Sequence, residues 1–383
     1  TNPTLAQIRS LITSGSITAG SAGSIDVAAL INTTPQKIPY SNPQMTEWWW
    51  TAPFSVDTDM RAWLHVRLYS NNAVRIRVVW ERTMHIQRLV YGVLTEPIPD
   101  ISYNPTVVVN GVTLYNNGGA SVTHYIMTSH DYVGWVQGDG QVTPKHDTTY
   151  IMDKSKMAPC YLGRSPTAGA WNATLYNEAP YVTYSPFNKG NMPSSIGSGG
   201  YEEGIALLPR WDALYFASGG DVRSWQAIEN NSRASRRFPI GLRDQNTNEP
   251  IRFLDFPLHS WSDSSYAGMI RCHGINPSGD MKFNFGSRYY TETHAPATGY
   301  TAFLLTGDWY HLESMLLVLG YQWMSPDPGG RTNGGVGPGQ HNGTYSIPLF
   351  GQVRGQGWGF RNLALASALC PTTHPLKAQC ESS

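Results

Sequence analysis

Arg354, Trp358 and Arg361 in VRGQGWGFR stand at i, i+4 and i+7, the spacing of one helical face. Two guanidiniums flanking an indole make a surface on which an anionic sugar ring can stack and pair its charge. A second group lies in RYYTETHAP, where Tyr289, Tyr290 and His294 precede Pro296, with Tyr300 two helical turns on. Imidazole and phenol are side chains suited to moving a proton. A third group runs through ENNSRASRRF and GLRD: Asn230, Asn231, Arg233, Arg236, Arg237, Arg243 and Asp244. Each group also has a structural reading. Basic residues at a helix end are favoured by the dipole, Arg354 and Arg361 can pair with carboxylates elsewhere, and His294 can bond a carbonyl ahead of a helix.

Other candidates are weaker. A hydrolase needs two carboxylates roughly 5–10 Å apart, and Glu202, Glu203, Asp212 and Asp244 are available. Glu202 and Glu203, however, fall at a helix start, where acidic residues stabilise without catalysing anything. The run WWW at 48–50 offers stacking platforms, although it heads a β region in which one or two of the three belong to a core. His124, His130 and His146 are scattered on β loops without supporting carboxylates, and Cys160, Cys272, Cys370 and Cys380 show no zinc spacing. No metal and no other cofactor is expected. Cys370 and Cys380 are near enough in sequence to bridge.

The elements that must position these residues fall into two classes. Over 46–165 the pattern is β, with MRAWLHVRLYSNNAVRIRVVWER alternating apolar and polar residues around a turn-forming SNNA. Asn110-Gly111 reads as a type I′ hairpin turn, and further β-like segments follow at 121–130, 131–137 and 147–153. Many short strands with frequent turns indicate an antiparallel β-sandwich. From 201 the period becomes helical. YEEGIALLPRWDALYFASGGDVRSWQAIENNSRA and TAFLLTGDWYHLESMLLVLGYQW both read helix, turn, helix, with Gly ending the first helix and Asp221 or Asp308 capping the second. VRGQGWGFRNLALASALCPTTHPLKAQCE is a third copy with CPTTHP at the turn. Repeated helix–turn–helix units imply stacked αα-hairpins.

The expected organisation is therefore α+β and multidomain. It comprises an N-terminal arm at 1–45, a β-sandwich at 46–165, a crossing segment at 166–200, and hairpins over 201–383. A short helix is expected at LAQIRSLI, followed by a Gly/Ser-rich stretch that could contact a neighbouring subunit. The loop 325–346 is long enough to lid a site. A closed ring of hairpins needs more chain than this, so a continuation beyond 383 is expected. The start TNPTL has no basic n-region and no apolar h-region, as expected if a signal has already been removed or if only an initiator Met was lost before Thr1.

Composition narrows the partners. Charged residues make up only 14%, Lys+Arg and Asp+Glu are 27 each, and there are 13 Trp and 21 Tyr. Such balance gives no long-range field for nucleic acid, and no apolar run reaches a membrane span. Neutral, aromatic-rich chains suit secreted β-proteins, virion proteins and sugar binders, because pyranose faces stack on aromatic rings. Large β-rich cores require aromatic residues as well.

With the order β then helical hairpins, the motifs HAP…Y…LTGD (294–308), WDALY…SGGD (211–221) and RGQGWGFR (354–361) resemble (α/α)-toroid carbohydrate-active proteins of the polysaccharide-lyase type. The helical region also resembles that of large proteins of proteobacteria and their phages. Many toroid lyases place the helical domain first, which this chain does not. The resemblance covers about half the chain, residues 201–381. It implies an incomplete toroid and β-eliminative cleavage of an acidic polysaccharide. It implies His294 and Tyr290 as base and acid, Asn231 with Arg237 as the carboxylate neutraliser, and Arg354, Trp358, Arg361, Arg243 and Tyr300 as substrate-binding. The competing expectation is a non-enzymatic structural or adhesive protein of a virion or extracellular assembly, self-associating through the arm. Both place the protein outside the cell or on a particle.

Overall fold

The structure, a computed structural model, describes residues 1–82, 84–85, 100–125, 127–139, 143–161, 186–187, 190, 204–244, 246–252, 255, 259–260, 270–271, 295–324 and 353–382. The chain divides into two compact units: Thr1–Thr83 with Pro99–Val142 and Ser185–Phe187, and Met84–Ile98 with Thr143–Tyr184 and Asn188–Ser383. Antiparallel sheets build the first and helices dominate the second, an α+β arrangement.

The first unit begins with α1 (Leu5–Leu11), whose start is fixed by a capping box between Thr4 and Gln7. There follow β1 (Gly15–Ala19), β2 (Ser24–Asp26), α2 (Val27–Ile31), β3 (Lys37–Ser41), β4 (Met45–Pro53), β5 (Arg61–Tyr69) and β6 (Val74–Arg82). A short β7 (Met84–His85) is counted with the second unit. Strands β8 (Ile101–Tyr103), β9 (Pro105–Val109), β10 (Val112–Asn116), β11 (Val122–His124) and β12 (Thr128–Gln137) complete the β series of the first. One sheet has the order β12-β6-β5-β4-β3 and a second the order β10-β9-β1-β2.

Alternation explains the larger sheet. Trp48, Trp50, Leu64, Val66, Ile76, Val78 and Trp80 point to one side, where they join Ile17, Ile25, Val107 and Val109 of the second sheet in a single core. Burying each such side chain stabilises by about 1.5–3 kcal/mol. The turns are those the sequence asks for. Asn72 (φ 66°) turns β5 into β6, while Asn110 (φ 50°) and Gly111 (φ 77°) form the type I′ turn between β9 and β10.

Residues 1–45, expected as an arm, lie within this unit. Ile17 pairs with Val107 across the sheet, and α1 and α2 bring Ile8, Leu30 and Ile31 into the core. The Gly/Ser richness that suggests a flexible arm hides a two-residue alternation at Ile17 and Ala19, both fully buried. The β-like segment 147–153 is instead helical, with one wide turn over Tyr150–Lys154 closed by Ser155 N–H to the Tyr150 carbonyl (3.0 Å). Asp147 decides this by accepting the Tyr150 N–H (3.0 Å), a local cap that outcompetes strand pairing.

In the second unit, α3 (Arg210–Ala217) and α4 (Val222–Ala234) form one hairpin, α5 (Tyr300–Thr306) and α6 (Trp309–Met324) another, and α7 (Val353–Leu369) with α8 (Lys377–Ser382) a third. Successive hairpins touch through α4 with α5 and through α6 with α7. The punctuation follows the sequence. Gly219, Gly220 and Gly307 are left-handed, Asp221 accepts from Arg223 N–H (2.9 Å), and Asp308 accepts from Tyr310 N–H (3.2 Å). Among the described residues no helix is long and apolar enough to cross a membrane. Most of the expected crossing segment 166–200 and the whole loop 325–346 lie outside the described residues.

Gly299 heads α5 at φ +82°, and a Cβ there would sit 2.4 Å from the His311 carbonyl oxygen. Gly299→Ala is therefore expected to destabilise the protein by roughly 2–3 kcal/mol, since left-handed strain and a backbone clash add. Chemical denaturation against wild type measures it.

Candidate functional site

The three groups of chemistry-bearing residues meet different fates. His294 and Tyr290, together with Tyr289, Glu202 and Glu203, lie outside the described residues. The backbone immediately after His294 is described, and α7 holds it. Arg361 donates from Nη2 to the Ala295 carbonyl, from Nη1 to the Ala206 carbonyl, and from Nε to Asn362 Oδ1 (3.1 Å). Its guanidinium lies 4.6 Å from the centre of the Trp358 ring. The helical spacing thus does bring Arg361 over the indole. Arg354, one turn earlier, is exposed, and Trp358 is half-buried. The Trp358 indole nitrogen meets no acceptor among the described residues.

Tyr300 opens α5 but faces inward, its hydroxyl donating to the Met157 carbonyl. Burial pushes its phenol up to about 12. It anchors α5 to the 150s segment and presents no hydroxyl to solvent.

The Asn/Arg group is interior. Asn231, on α4, is 0% exposed and donates from Nδ2 to the Ala227 carbonyl (2.9 Å). Arg237, 1% exposed, follows in a short 3₁₀ turn, its guanidinium 4.6 Å from the Phe238 ring. Arg243 lies on β13 (Leu242–Arg243), which pairs in parallel with β7. It is 0% exposed and donates from Nη1 to Glu313 Oε1 (2.9 Å) and to the Asn248 carbonyl (2.9 Å). Arg236 approaches the same carboxylate from the other side, Nη2 to Glu313 Oε2 at 3.0 Å, with Nε donating to Ser314 Oγ (2.7 Å) and the guanidinium over the Tyr310 ring at 3.8 Å. Beside it, Ser232 Oγ and His311 Nδ1 are 2.7 Å apart. Asn231, Arg237 and Arg243 are thus all buried in this structure. A basic sequence next to a helix end reads as solvated. Here one glutamate in the apolar run HLESMLLVL draws two arginines inside, and that misplaced charge is the signal that could have identified them.

The remaining candidates resolve as structure. Asp244 closes a turn, accepting from Asn246 N–H (2.8 Å) and Thr247 Oγ1 (3.1 Å). Trp48 and Trp50 are core, while Trp49 is buried on the opposite sheet face, stacked on His65 at 3.7 Å and donating to Glu47 (2.6 Å). His124 Nε2–H donates to the Thr128 carbonyl (2.9 Å), so its Nδ1 accepts from the Tyr103 hydroxyl (2.8 Å). His146 Nε2 donates to the Leu305 carbonyl (2.6 Å). Among the described residues no three His, Cys, Asp or Glu side chains are grouped as metal ligands.

Asp212 has a setting of its own. It is buried in the first turn of α3, beside the Thr301 hydroxyl of α5, and burial raises its carboxyl to about 7 while Thr301 pulls the other way. The Asp212 charge in turn raises Tyr161, after burial. Among the described residues, the start of α7 has Arg354 exposed and Trp358 half-buried, and Arg361 of the same helix holds the Ala295 carbonyl. Comparison with known proteins returned no matching family model, no matching curated protein and no matching solved structure.

Proposed function

We propose that the chain binds an acidic polysaccharide at the N-terminal half of α7, and that β-eliminative cleavage is the reaction this site serves. The observation that carries the reading is the half-buried Trp358 ring, backed by the Arg361 guanidinium at 4.6 Å, with Arg354 exposed one turn away. A sugar face stacks on the indole while Arg354 pairs its carboxylate. Elimination needs that carboxylate neutralised, a base for the C5 proton and an acid for the leaving oxygen. We assign the first role to Arg354, because Asn231 and Arg237 are interior, and retain His294 as base and Tyr290 as acid. Arg361 ties the carbonyl beside His294 to the helix that carries Trp358. In this reading the successive hairpins are part of an (α/α) toroid, the paired sheets are a β-sandwich, and the protein works outside the cell.

The test is incubation with alginate, hyaluronan, heparin and pectin. Ultraviolet absorbance reports the unsaturated product, and affinity electrophoresis in the same polymers reports binding. Trp358→Ala is expected to weaken binding roughly 3- to 10-fold, and His294→Ala to abolish product while leaving binding unchanged. Absence of binding to every polymer overturns the reading.

A second reading, a non-enzymatic structural or adhesive subunit of a virion or extracellular assembly, rests on a different observation. Val353 and Phe360, seven residues apart on α7, are 82% and 57% exposed. Large apolar side chains in register on one helix suit a subunit contact. Concentration-dependent sedimentation without polymer binding would favour it.

A further inference from the structure

A small cavity lies where the segment leading into α5 meets α6 and α7, lined by Thr298, Tyr300, Met315, Val318, Asn362 and Leu365. Its volume, ≈ 10 Å³, is at the lower limit for one water molecule and far too small for a sugar or a phosphate. Besides Tyr300, whose hydroxyl donates to the Met157 carbonyl, the wall is apolar with two polar exceptions. Thr298 is 5% exposed, and its buried Oγ1 has no hydrogen-bond partner among the described residues. A buried hydroxyl left so is unfavourable relative to one in water, so a partner is favoured. Asn362 is the second exception. Its Oδ1 accepts from Arg361 Nε (3.1 Å) and its Nδ2 donates to Gln322 Oε1 (3.0 Å). A carbonyl oxygen has two lone pairs, and Arg361 takes one.

We infer that this cavity is a binding site for a single buried water, which accepts the Thr298 Oγ1 hydrogen and donates to Asn362 Oδ1. Size selects water, and the two polar side chains in the wall supply the hydrogen bonds that keep one in place. The water extends the chain Arg361–Asn362–Gln322 to the residue just ahead of α5. It thereby gives the segment 295–299 a second tie to α7, besides the bond from Arg361 to the Ala295 carbonyl. The inference is independent of any polysaccharide activity.

The test is a crystal structure of the wild-type protein at a resolution that shows ordered water, paired with denaturation of two variants. A density peak about 2.7–3.2 Å from Thr298 Oγ1 is expected. Thr298→Val should lower the denaturation midpoint, because it removes the water's partner, and Thr298→Ser should restore it towards wild type. A dry cavity behaves the opposite way: a valine methyl replaces an unsatisfied hydroxyl and raises the midpoint. No peak at Thr298, or a Thr298→Val midpoint at or above wild type, overturns the inference. If Thr298→Val does not fold, the wild-type density decides alone.

Discussion

Glu313→Ala is expected to destabilise the helical unit by about 3–5 kcal/mol, the range for breaking a buried ion pair by removing one partner. The size follows from geometry. One carboxylate accepts from Arg236 at 3.0 Å and from Arg243 at 2.9 Å, and the two arginines are 1% and 0% exposed. Without Glu313, both guanidiniums lose the carboxylate they share, far from water. Their neutral acceptors, the Tyr310 and Asn248 carbonyls and Ser314 Oγ, remain but supply no charge. Domains of this kind are stable by only about 5–15 kcal/mol, so the loss is a large part of the whole. Glu313→Gln keeps the shape and one acceptor oxygen, and is expected to lie between wild type and Glu313→Ala. Chemical denaturation of the three proteins separates charge from packing. Replacing Asp153, whose partners Lys154 and Lys156 are largely exposed, should change little.

The same cluster shows how far the sequence can be read. Local rules were legible: the Asn110-Gly111 turn, the alternation through β5 and β6, and the SGGD and TGD breaks between helices each depend on a few adjacent residues. The site was legible only in part. The i, i+4, i+7 spacing placed Arg361 over Trp358 because both lie on one helix, where geometry is set within two turns. The fate of Arg236 and Arg243 depended on Glu313, which lies 70 residues from Arg243 in sequence. No periodicity in ENNSRASRRF reports such a partner. The N-terminal segment was obscured for a similar reason, since β1 becomes a strand by pairing with β9, a contact between Ile17 and Val107. Local composition states what a segment can do, and a distant partner decides what it does.

Asp212→Asn is expected to stabilise the protein above neutral pH and to flatten its stability profile between about pH 4 and 7. The carboxyl is buried, and its pKa rises from 3.8 to about 7, chiefly because burial disfavours the charged form. Between those values the folded protein keeps a proton that the unfolded chain releases. Stability contributed by this group is therefore complete below the unfolded pKa and falls as pH rises through the folded one. The separation from 3.8 to about 7 corresponds to roughly 4 kcal/mol as an upper bound. Asparagine has nearly the same shape and cannot ionise, so it removes the pH dependence with little change in packing. Thr301→Val should carry the fall in stability to higher pH, because Thr301 holds the Asp212 pKa down. Denaturation midpoints of the three proteins at pH 5 and pH 8 measure all of this. If wild type and Asp212→Asn differ equally at both pH values, Asp212 is ionised throughout and its burial is not what sets its charge.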